Sequence, residues 1–284
     1  MFQASNVSKV FKSKLFEKDV YALTDVSFKL ERGVATGFLG ANGAGKTTFI
    51  KILLGFISPS EGKIVFGEEL GGTRIEALKK IGYVPERPYY YQHLKGRDFL
   101  MYMGELSELS LDQVNTVIER YAERLVIKFA LDREISGYSK GMLQRLGFLC
   151  ALLNDPELLI LDEPLSGLDP IGRRDIKDLI QELVREGKSI FISSHIIPDV
   201  EEVCEQVVCL DQGRLVYQGR IHDLLEKTSS GRVRIVYHKD NEEKGLEVSP
   251  SDVNQRLDSL IDEGASIVSV TPHRARLEEV VYKI

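Results

Sequence analysis

Residues 40–48 read Gly-Ala-Asn-Gly-Ala-Gly-Lys-Thr-Thr, a run whose residue types and spacing suit the binding of a phosphate chain. The run fits the pattern G-x-x-x-x-G-K-[ST], with Gly40, Gly45, Lys46 and Thr47 in the defining positions. Glycines let consecutive backbone N–H groups turn inward, and a helix that follows points its positive end at the same place. In such a loop Lys46 would reach the β- and γ-phosphates, and the Thr47 hydroxyl would ligate Mg²⁺. The sequence therefore predicts a nucleotide site.

The segments on either side of this loop have the character that a phosphate loop needs. The apolar run 34–39 predicts a buried strand before the loop, and the run 48–54 predicts a helix that ends at Gly55. A glycine-rich turn that binds nothing is the alternative, and the Lys-Thr pair between these flanks argues against it. The other residues predicted to surround the nucleotide are Asn42, Gly43, Ala44 and Thr48.

A second apolar run, Leu158–Leu161, ends in two adjacent carboxylates, Asp162 and Glu163. Side chains alternate along a strand, so the two acids point in different directions. Asp162 would hold the metal through its water shell, because Mg²⁺ gives up water reluctantly. Glu163 would orient and help deprotonate the water that attacks the γ-phosphate. The alternative is a strand end with two exposed acids before a turn at Pro164.

A second candidate for anion binding is the start of a helix near Ser139. Ser139 is a suitable N-cap, and Gly141 leaves backbone room beside it. The helix predicted over 142–153 would present its positive end to solvent or to an anion. Since the phosphate loop already holds one triphosphate, Ser139 and Gly141 either only cap a helix or bind the nucleotide of another copy.

Taken in order, these segments resemble the ATP-binding subunit of an ABC (ATP-binding cassette) transporter, over residues 1 to about 224. The matching segments are 40–48 (Walker A), Tyr138–Met142 (where the family has Leu-Ser-Gly-Gly-Gln), Leu158–Glu163 (Walker B), Ser166–Asp169 (D-loop) and His195 (switch histidine). The resemblance implies an α/β P-loop NTPase fold with an antiparallel β subdomain and a helical subdomain over about 87–150. It also implies a small C-terminal α/β appendage and a catalytic role for Lys46, Glu163 and His195.

His195 follows an apolar strand, and the resemblance implies that it hydrogen bonds to the γ-phosphate; the alternative is a histidine bonded to a backbone carbonyl. Two departures from the family pattern stand out. Glu86 replaces the usual glutamine; it can bind Mg²⁺ or its water but cannot donate as an amide does. The signature keeps only Ser139 and Gly141 of its five residues. Both variants resemble the export-type branch of bacterial systems for drugs, ions or polysaccharides.

An aromatic residue near the N-terminus stacks on adenine in this family, and Phe, Tyr and Trp all serve. Phe11 is in the best matching position, and Phe16 and Tyr21 are rivals, because residues 12–19 resemble an insertion.

The resemblance implies a head-to-tail dimer with a second copy or a close paralogue. Each ATP would lie between residues 40–48 of one subunit and 139–141 of the other. The partner would be a polytopic membrane permease, with this chain at the cytoplasmic face of the membrane. The segment Tyr89–Leu94 would carry motion to the permease, although its aromatics could equally be core residues. A soluble ATPase of an assembly scaffold, such as iron–sulfur cluster assembly, is the alternative to an exporter.

The 284 residues allow one large domain with a small addition, predicted as an ATP-binding domain over 1–225 and an accessory region over 226–284. Alternating strands and helices after Leu158 predict a parallel sheet. The pattern predicts further helical structure over 87–136, a charged turn over 238–245 and a helix near 252–261. A net charge of −6 argues against nucleic acid as a partner. The three cysteines, Cys150, Cys204 and Cys209, have no metal-ligand spacing and predict reduced core residues of a cytosolic protein. The sequence has no apolar stretch of about 20 residues, the length of a membrane span, and no secretory signal, so we expect any membrane role to come through a partner.

Overall fold

Two compact units make up the chain, residues 1–219 and 220–284. The assignment of an ATP-binding domain to 1–225 and of an accessory region to 226–284 stays a prediction. The computed structural model describes residues 1–12, 18–228, 233–239, 242–272 and 277. Phe16, one candidate for adenine stacking, lies outside the described residues.

Strands and helices alternate from Leu158 to Asp211, as the sequence pattern predicts. The strands are β1 (Phe2–Phe11), β2 (Val20–Leu30), β3 (Ala35–Leu39), β4 (Glu61–Phe66), β5 (Ile81–Val84), β6 (Leu158–Asp162), β7 (Ser189–Ser194), β8 (Gln206–Asp211) and β9 (Arg214–Arg220). The helices are α1 (Lys46–Leu53), α2 (Arg74–Lys79), α3 (Gly96–Leu106), α4 (Leu111–Tyr121), α5 (Lys140–Ala151), α6 (Pro170–Arg185) and α7 (Ile197–Val203). Within the described ranges, no helix has both the length and the apolar character that crossing a membrane requires.

The central sheet has the strand order β5-β6-β7-β3-β8-β9, and the strands from β5 to β8 run parallel to their neighbours. Every residue of β3, β6 and β7 is buried. Burial on both faces explains why the middle of each strand is apolar without an alternation of polar and apolar residues. Because the strands are parallel, the ends at Leu39, Asp162 and Ser194 lie at one edge of the sheet, which is where such sheets bind ligands.

A second, antiparallel sheet has the order β2-β1-β4 and packs on the central sheet through a cluster of aromatic rings. The rings come from five elements: Phe2, Phe28, Phe38, Phe49 and Phe191. Phe28 and Phe49 have centroids 4.9 Å apart, as do Phe38 and Phe191. The cluster fixes helix α1, and with it the phosphate loop, to both sheets. The predicted α/β architecture with an antiparallel β subdomain is confirmed.

The helical part of the first unit contains α3, α4 and α5. A capping box at Ser110 and Gln113 begins α4. The predicted helical structure over 87–136 is wrong for residues 87–95, which form no helix. Pro88 lacks the backbone N–H that a helix interior needs. The Tyr90 hydroxyl instead donates to the Leu143 carbonyl at 2.7 Å, which ties this extended segment to α5.

The second unit is a small α/β element. It comprises α8 (Ile221–Thr228), β10 (Val233–Lys239), β11 (Glu242–Val248), α9 (Val253–Asp262) and β12 (Ser266–Pro272). Its antiparallel sheet has the order β11-β10-β12, over a core of Ile235, Leu260 and Ala265. The charged turn predicted over 238–245 is wrong for most of that range, because Lys239 pairs with Glu242 and the strand continues from there. Charged side chains suit β11 because it is an edge strand.

We expect Phe191→Ala to lower the free energy of unfolding of the first unit by about 3–5 kcal/mol, because the substitution leaves a cavity among the packed rings. Phe129→Ala is the matched control; Phe129 is 66% exposed, so its loss should cost no more than about 0.5 kcal/mol. Urea unfolding followed by circular dichroism measures both values. Equal losses for the two variants would contradict the role given to the aromatic cluster.

Candidate functional site

The loop between β3 and α1 has two positions, Gly40 and Gly45, where neighbouring backbone leaves no room for a side chain. Gly45 has φ +102°, and a Cβ built there would lie 2.5 Å from the Ala22 carbonyl oxygen. A Cβ on Gly40 would lie 2.6 Å from the Leu210 carbonyl oxygen. Gly43 also has a positive φ, +85°, but faces open space. Glycine therefore lets the loop pack tightly against the backbone of Ala22 and Leu210, while no side chain covers the open position at Gly43, as a phosphate cradle requires.

Lys46 begins α1, and its side chain is only 6% exposed because the ammonium group is held inside the loop. Its Nζ donates to the Gly40 carbonyl at 2.6 Å and to the Ala41 carbonyl at 3.3 Å. It also lies 3.4 Å from Glu163 Oε1. A buried ammonium needs such partners, and a phosphate oxygen at the mouth of the loop could replace them.

Asp162 ends strand β6 and is buried. Its Oδ1 accepts hydrogen bonds from Ser193 Oγ at 2.6 Å and from Thr47 Oγ1 at 3.4 Å. Burial raises the pKa of the Asp162 carboxyl; the bonds from Ser193 and Thr47 oppose that rise, and the charge of Glu86 adds to it. A carboxylate beside a hydroxyl at a phosphate cradle fits Mg²⁺, which uses few protein ligands and keeps phosphate and water oxygens.

Glu163 has φ +48°, in the left-handed region that is costly for a residue with a side chain, by about 1–3 kcal/mol. Its backbone N–H is held by β7, donating to Ser193 Oγ at 3.0 Å and to the Ser193 carbonyl at 3.2 Å. This turn directs the carboxylate into the cleft, where Oε2 lies 2.9 Å from Nδ1 of His195. An ionised carboxylate can only accept, so Nδ1 donates in this bond.

His195 follows β7 and remains partly exposed. The alternative prediction, a histidine bonded to a backbone carbonyl, is wrong, because Nδ1 bonds the Glu163 carboxylate. The bond fixes the ring orientation and leaves Nε2 as the other ring nitrogen available to a ligand.

These side chains surround a cleft of 590 Å³, a volume within the usual range for small-molecule sites, roughly 300–1,000 Å³. Of the residues predicted from the sequence, those that line it are Phe11, Tyr21, Asn42, Gly43, Gly45, Lys46, Thr47, Thr48, Glu86, Glu163, Ser166 and His195. Gly40 contributes through the bond to Lys46, Ala44 is buried in the loop, and Asp162 is reached through Thr47. The sequence therefore predicts most of this constellation.

Two aromatic side chains remain candidates for stacking on a base. Phe11 and Tyr21 both line the cleft and both are exposed. The Lys9 amine lies over the Phe11 ring, 5.2 Å from its centroid, and forms a cation–π contact with it. The choice between Phe11 and Tyr21 stays open.

Ser139 and Gly141 do not line the cleft. Ser139 caps α5, accepting a hydrogen bond from the Met142 N–H at 3.3 Å. A Cβ on Gly141 would lie 3.5 Å from Leu168, so this segment faces residues 166–169. In the same way Asp169 caps α6, accepting from the Gly172 N–H at 2.8 Å. Both helix starts are therefore capped within the chain.

Ser193 is the site residue that sequence reasoning missed. Its hydroxyl joins Asp162 to the Glu163 backbone, and it is fully buried. The one feature of the sequence that could have indicated Ser193 is its position two residues before His195. The register that puts Ser193 opposite Asp162 belongs to the pairing of β6 with β7, which a single sequence does not reveal.

We expect Ser193→Ala to lower the free energy of unfolding by about 1–3 kcal/mol, because it removes a hydrogen bond from a buried carboxylate. The substitution should also weaken Mg²⁺-dependent nucleotide binding, because Asp162 loses the bond that orients it. Ser194→Ala is the matched control: its hydroxyl serves the Ile196 N–H instead. Calorimetric titration with and without Mg²⁺ distinguishes the two, and an equal Mg²⁺ dependence in both variants would count against this role.

Comparison with known proteins agrees with this geometry. The family model described as ABC transporter matches residues 23–166. An ABC transporter ATP-binding protein of Nostoc sp. is 36% identical over 294 residues, covering 97% of this chain and 87% of that protein. The Nod factor export ATP-binding protein I of Rhizobium leguminosarum is 35% identical over 248 residues, covering 87% of this chain and 78% of that protein. NatA of Bacillus subtilis, an ABC transporter ATP-binding protein, is 32% identical over 239 residues, with coverage of 84% and 96%.

Solved structures agree as well. The ATP-binding subunit of an ABC transporter superposes with a TM-score of 0.71 at 28% identity, covering 80% of this chain and 92% of that one. A dimeric ATP-binding cassette bound to ADP and Pi superposes with a TM-score of 0.69 at 21% identity, covering 78% and 99%, and supports the fold alone. The expected P-loop NTPase fold is confirmed, and the chain belongs to the ABC transporter family as an ATP-binding subunit with ATPase activity.

Proposed function

We propose that this subunit hydrolyses ATP as one half of a head-to-tail dimer and that the dimer drives a separate membrane subunit. The observation that carries the proposal is the convergence of Lys46, Glu163 and His195 on one cleft, with each of the other two within 3.4 Å of the Glu163 carboxylate. A phosphate-binding cation, a carboxylate and a histidine at that spacing suit the attack of water on a phosphoryl group.

In this proposal the phosphate loop holds the triphosphate. Lys46 exchanges the carbonyls of Gly40 and Ala41 for the β- and γ-phosphates, because the negative oxygens are stronger partners for a buried ammonium. Thr47 and Asp162 would hold Mg²⁺, with Glu86 at the edge of the cleft as a further carboxylate. Bound Mg²⁺ would neutralise charge on the β- and γ-phosphate oxygens.

Glu163 acts as the general base in this proposal. Its left-handed backbone and its two bonds to Ser193 hold the carboxylate rigidly, as a base that positions a water must be held. His195 orients the Glu163 carboxylate through Nδ1 and offers Nε2 to the γ-phosphate. The histidine therefore links the presence of that phosphate to the catalytic carboxylate.

The proposed dimer is supported by two predicted nucleotide-binding residues that do not line the cleft of their own chain. Ser139 and Gly141 lie at the start of α5, away from the Lys46 site of the same chain. In a head-to-tail dimer they would face the γ-phosphate of the partner, which would place each ATP between two subunits. The second subunit is either another copy of this chain or a close paralogue.

A membrane partner would be reached through residues 89–94. Tyr89 is 98% exposed, while the neighbouring Tyr90 hydroxyl is bonded to Leu143 of α5. A displacement of α5 on ATP binding would therefore move this exposed segment. We place the subunit at the cytoplasmic face of the membrane, held there by a polytopic permease. Export is the favoured direction, supported by the name of the Nod factor export relative.

The alternative of a soluble ATPase on an assembly scaffold gains no support from these relatives, whose names refer to ABC transporters or to export. The net charge of −6 likewise gives no reason to propose a nucleic-acid partner.

We expect Glu163→Gln to bind ATP, to lose about 10²–10⁴-fold in kcat and to accumulate as an ATP-bound dimer, because the amide cannot accept the proton of the attacking water. Glu119→Gln, on the exposed side of α4, is the matched control and should hydrolyse ATP normally. Phosphate release and analytical ultracentrifugation measure the two effects. Normal hydrolysis by Glu163→Gln would refute the assignment of the base.

We expect the tagged protein, purified from detergent-solubilised membranes, to carry a polytopic membrane protein in about equal amount. Tyr89→Ala should reduce that recovery while leaving the ATPase rate of the isolated subunit unchanged, because Tyr89 is exposed and outside the cleft. Mass spectrometry of the purified material identifies the partner. Recovery of a soluble partner alone would overturn the transporter assignment and favour the scaffold ATPase.

A further inference from the structure

Arg145 lies in α5, six residues after Ser139, and its side chain is only 12% exposed. Its guanidinium donates in two directions. Nη1 bonds the Leu125 carbonyl at 2.7 Å, and Nη2 bonds the Asp175 carboxylate at 2.8 Å. A planar fork of donors suits such a double attachment, which a lysine ammonium cannot reproduce in the same geometry.

The two bonds join three segments of the first unit. Leu125 lies just after α4, Arg145 belongs to α5, and Asp175 lies in the second turn of α6. The guanidinium also lies close under the first turn of α6, since a Cβ built on Gly172 would be 3.3 Å from Nη2. Arg145 therefore fixes the beginning of α6 against α5.

The loops that begin these two helices also contact each other. A Cβ on Gly141 would lie 3.5 Å from Leu168, and one on Gly167 would collide with the Lys140 side chain. Residues 139–141 and 166–169 thus form one continuous surface, here called the seam face. Ser166 of this surface also lines the cleft of its own subunit.

We propose that Arg145 is a positioning residue that holds the seam face in the arrangement needed to close over the ATP of the partner subunit. The inference rests on the proposed head-to-tail dimer and names the residue that prepares its second half. Because α5 and α6 are tied at Arg145, their initial loops approach the partner as one rigid surface. A surface that is already ordered loses less conformational entropy when it binds.

Other arginines join the same regions but are more exposed. Arg120 pairs with Glu186, and Arg124 pairs with Glu182, near the far end of α6. The Arg124 side chain is 46% exposed, and exposed ion pairs contribute little. Arg124 is therefore a matched control: it is the same residue type, pairs with the same helix and lies away from the seam face.

The test uses the intact subunit carrying Glu163→Gln, so that ATP drives dimer formation without hydrolysis. Adding Arg145→Gln should weaken ATP-dependent dimerisation by roughly 10- to 100-fold, the range expected when a distant change misplaces binding groups. ADP affinity should stay unchanged, because the Lys46 cleft is intact. Adding Arg124→Gln should leave both quantities unchanged. Ultracentrifugation gives the dimer dissociation constant, and calorimetry gives the ADP affinity.

Arg145→Lys separates positioning from a general loss of structure. Lysine keeps the charge beside Asp175 but cannot also bond the Leu125 carbonyl in the same way, so dimerisation should be intermediate. Dimerisation of Arg145→Gln at the parental level would overturn the inference, as would an equal fall in ADP affinity. A Glu163→Gln parent that does not dimerise with ATP would overturn the proposed dimer itself, and this inference with it.

Discussion

The buried ammonium of Lys46 is the constraint on which the rest of the site depends. A cation that is 6% exposed is tolerated only if its partners are fixed in advance. The Gly40 carbonyl accepts a hydrogen bond from Lys46 Nζ. Gly40 can occupy this position only because it has no side chain, since a Cβ there would collide with the Leu210 carbonyl. The Glu163 carboxylate, at the end of β6, is the third partner of the Lys46 ammonium. The glycine loop, the end of β6 and the first turn of α1 must therefore be in place together.

The parallel pairing of β6 with β7 fixes the positions of the two adjacent carboxylates, Asp162 and Glu163. Because Asp162 lies opposite Ser193, one hydroxyl can bond the buried carboxylate and the backbone of the next residue at once. The left-handed turn at Glu163 then directs the second carboxylate away from the first and toward His195. The strain of that turn is offset by the ladder of β7, which explains why a costly backbone persists there.

Much of this site could be predicted from sequence because its signals are local. The phosphate loop lies within nine residues, and β3, β6 and β7 each carry a run of apolar residues because both of their faces are buried. What depends on pairing between distant segments was not accessible. The role of Ser193 depends on strand register, which a single sequence does not reveal. The charged turn predicted over 238–245 includes the start of the strand Glu242–Val248, because an edge strand tolerates charged residues. Tyr90 lies in a non-helical segment that is bonded to α5, a long-range contact that no sequence periodicity indicates.

The charge balance of the cleft supports the proposal that ATP binds between two subunits. Among the described residues that line it, Lys46 is the only lysine or arginine, whereas Glu86 and Glu163 both contribute carboxylates. A triphosphate adds further negative charge to the cleft, and Ser139 at the start of α5 does not line the cleft of its own chain. In the proposed dimer, Mg²⁺ and the positive end of the partner's α5 supply the missing compensation. In that proposal, loss of the γ-phosphate would reduce the negative charge that needs compensation, so the dimer would close with ATP and open after hydrolysis.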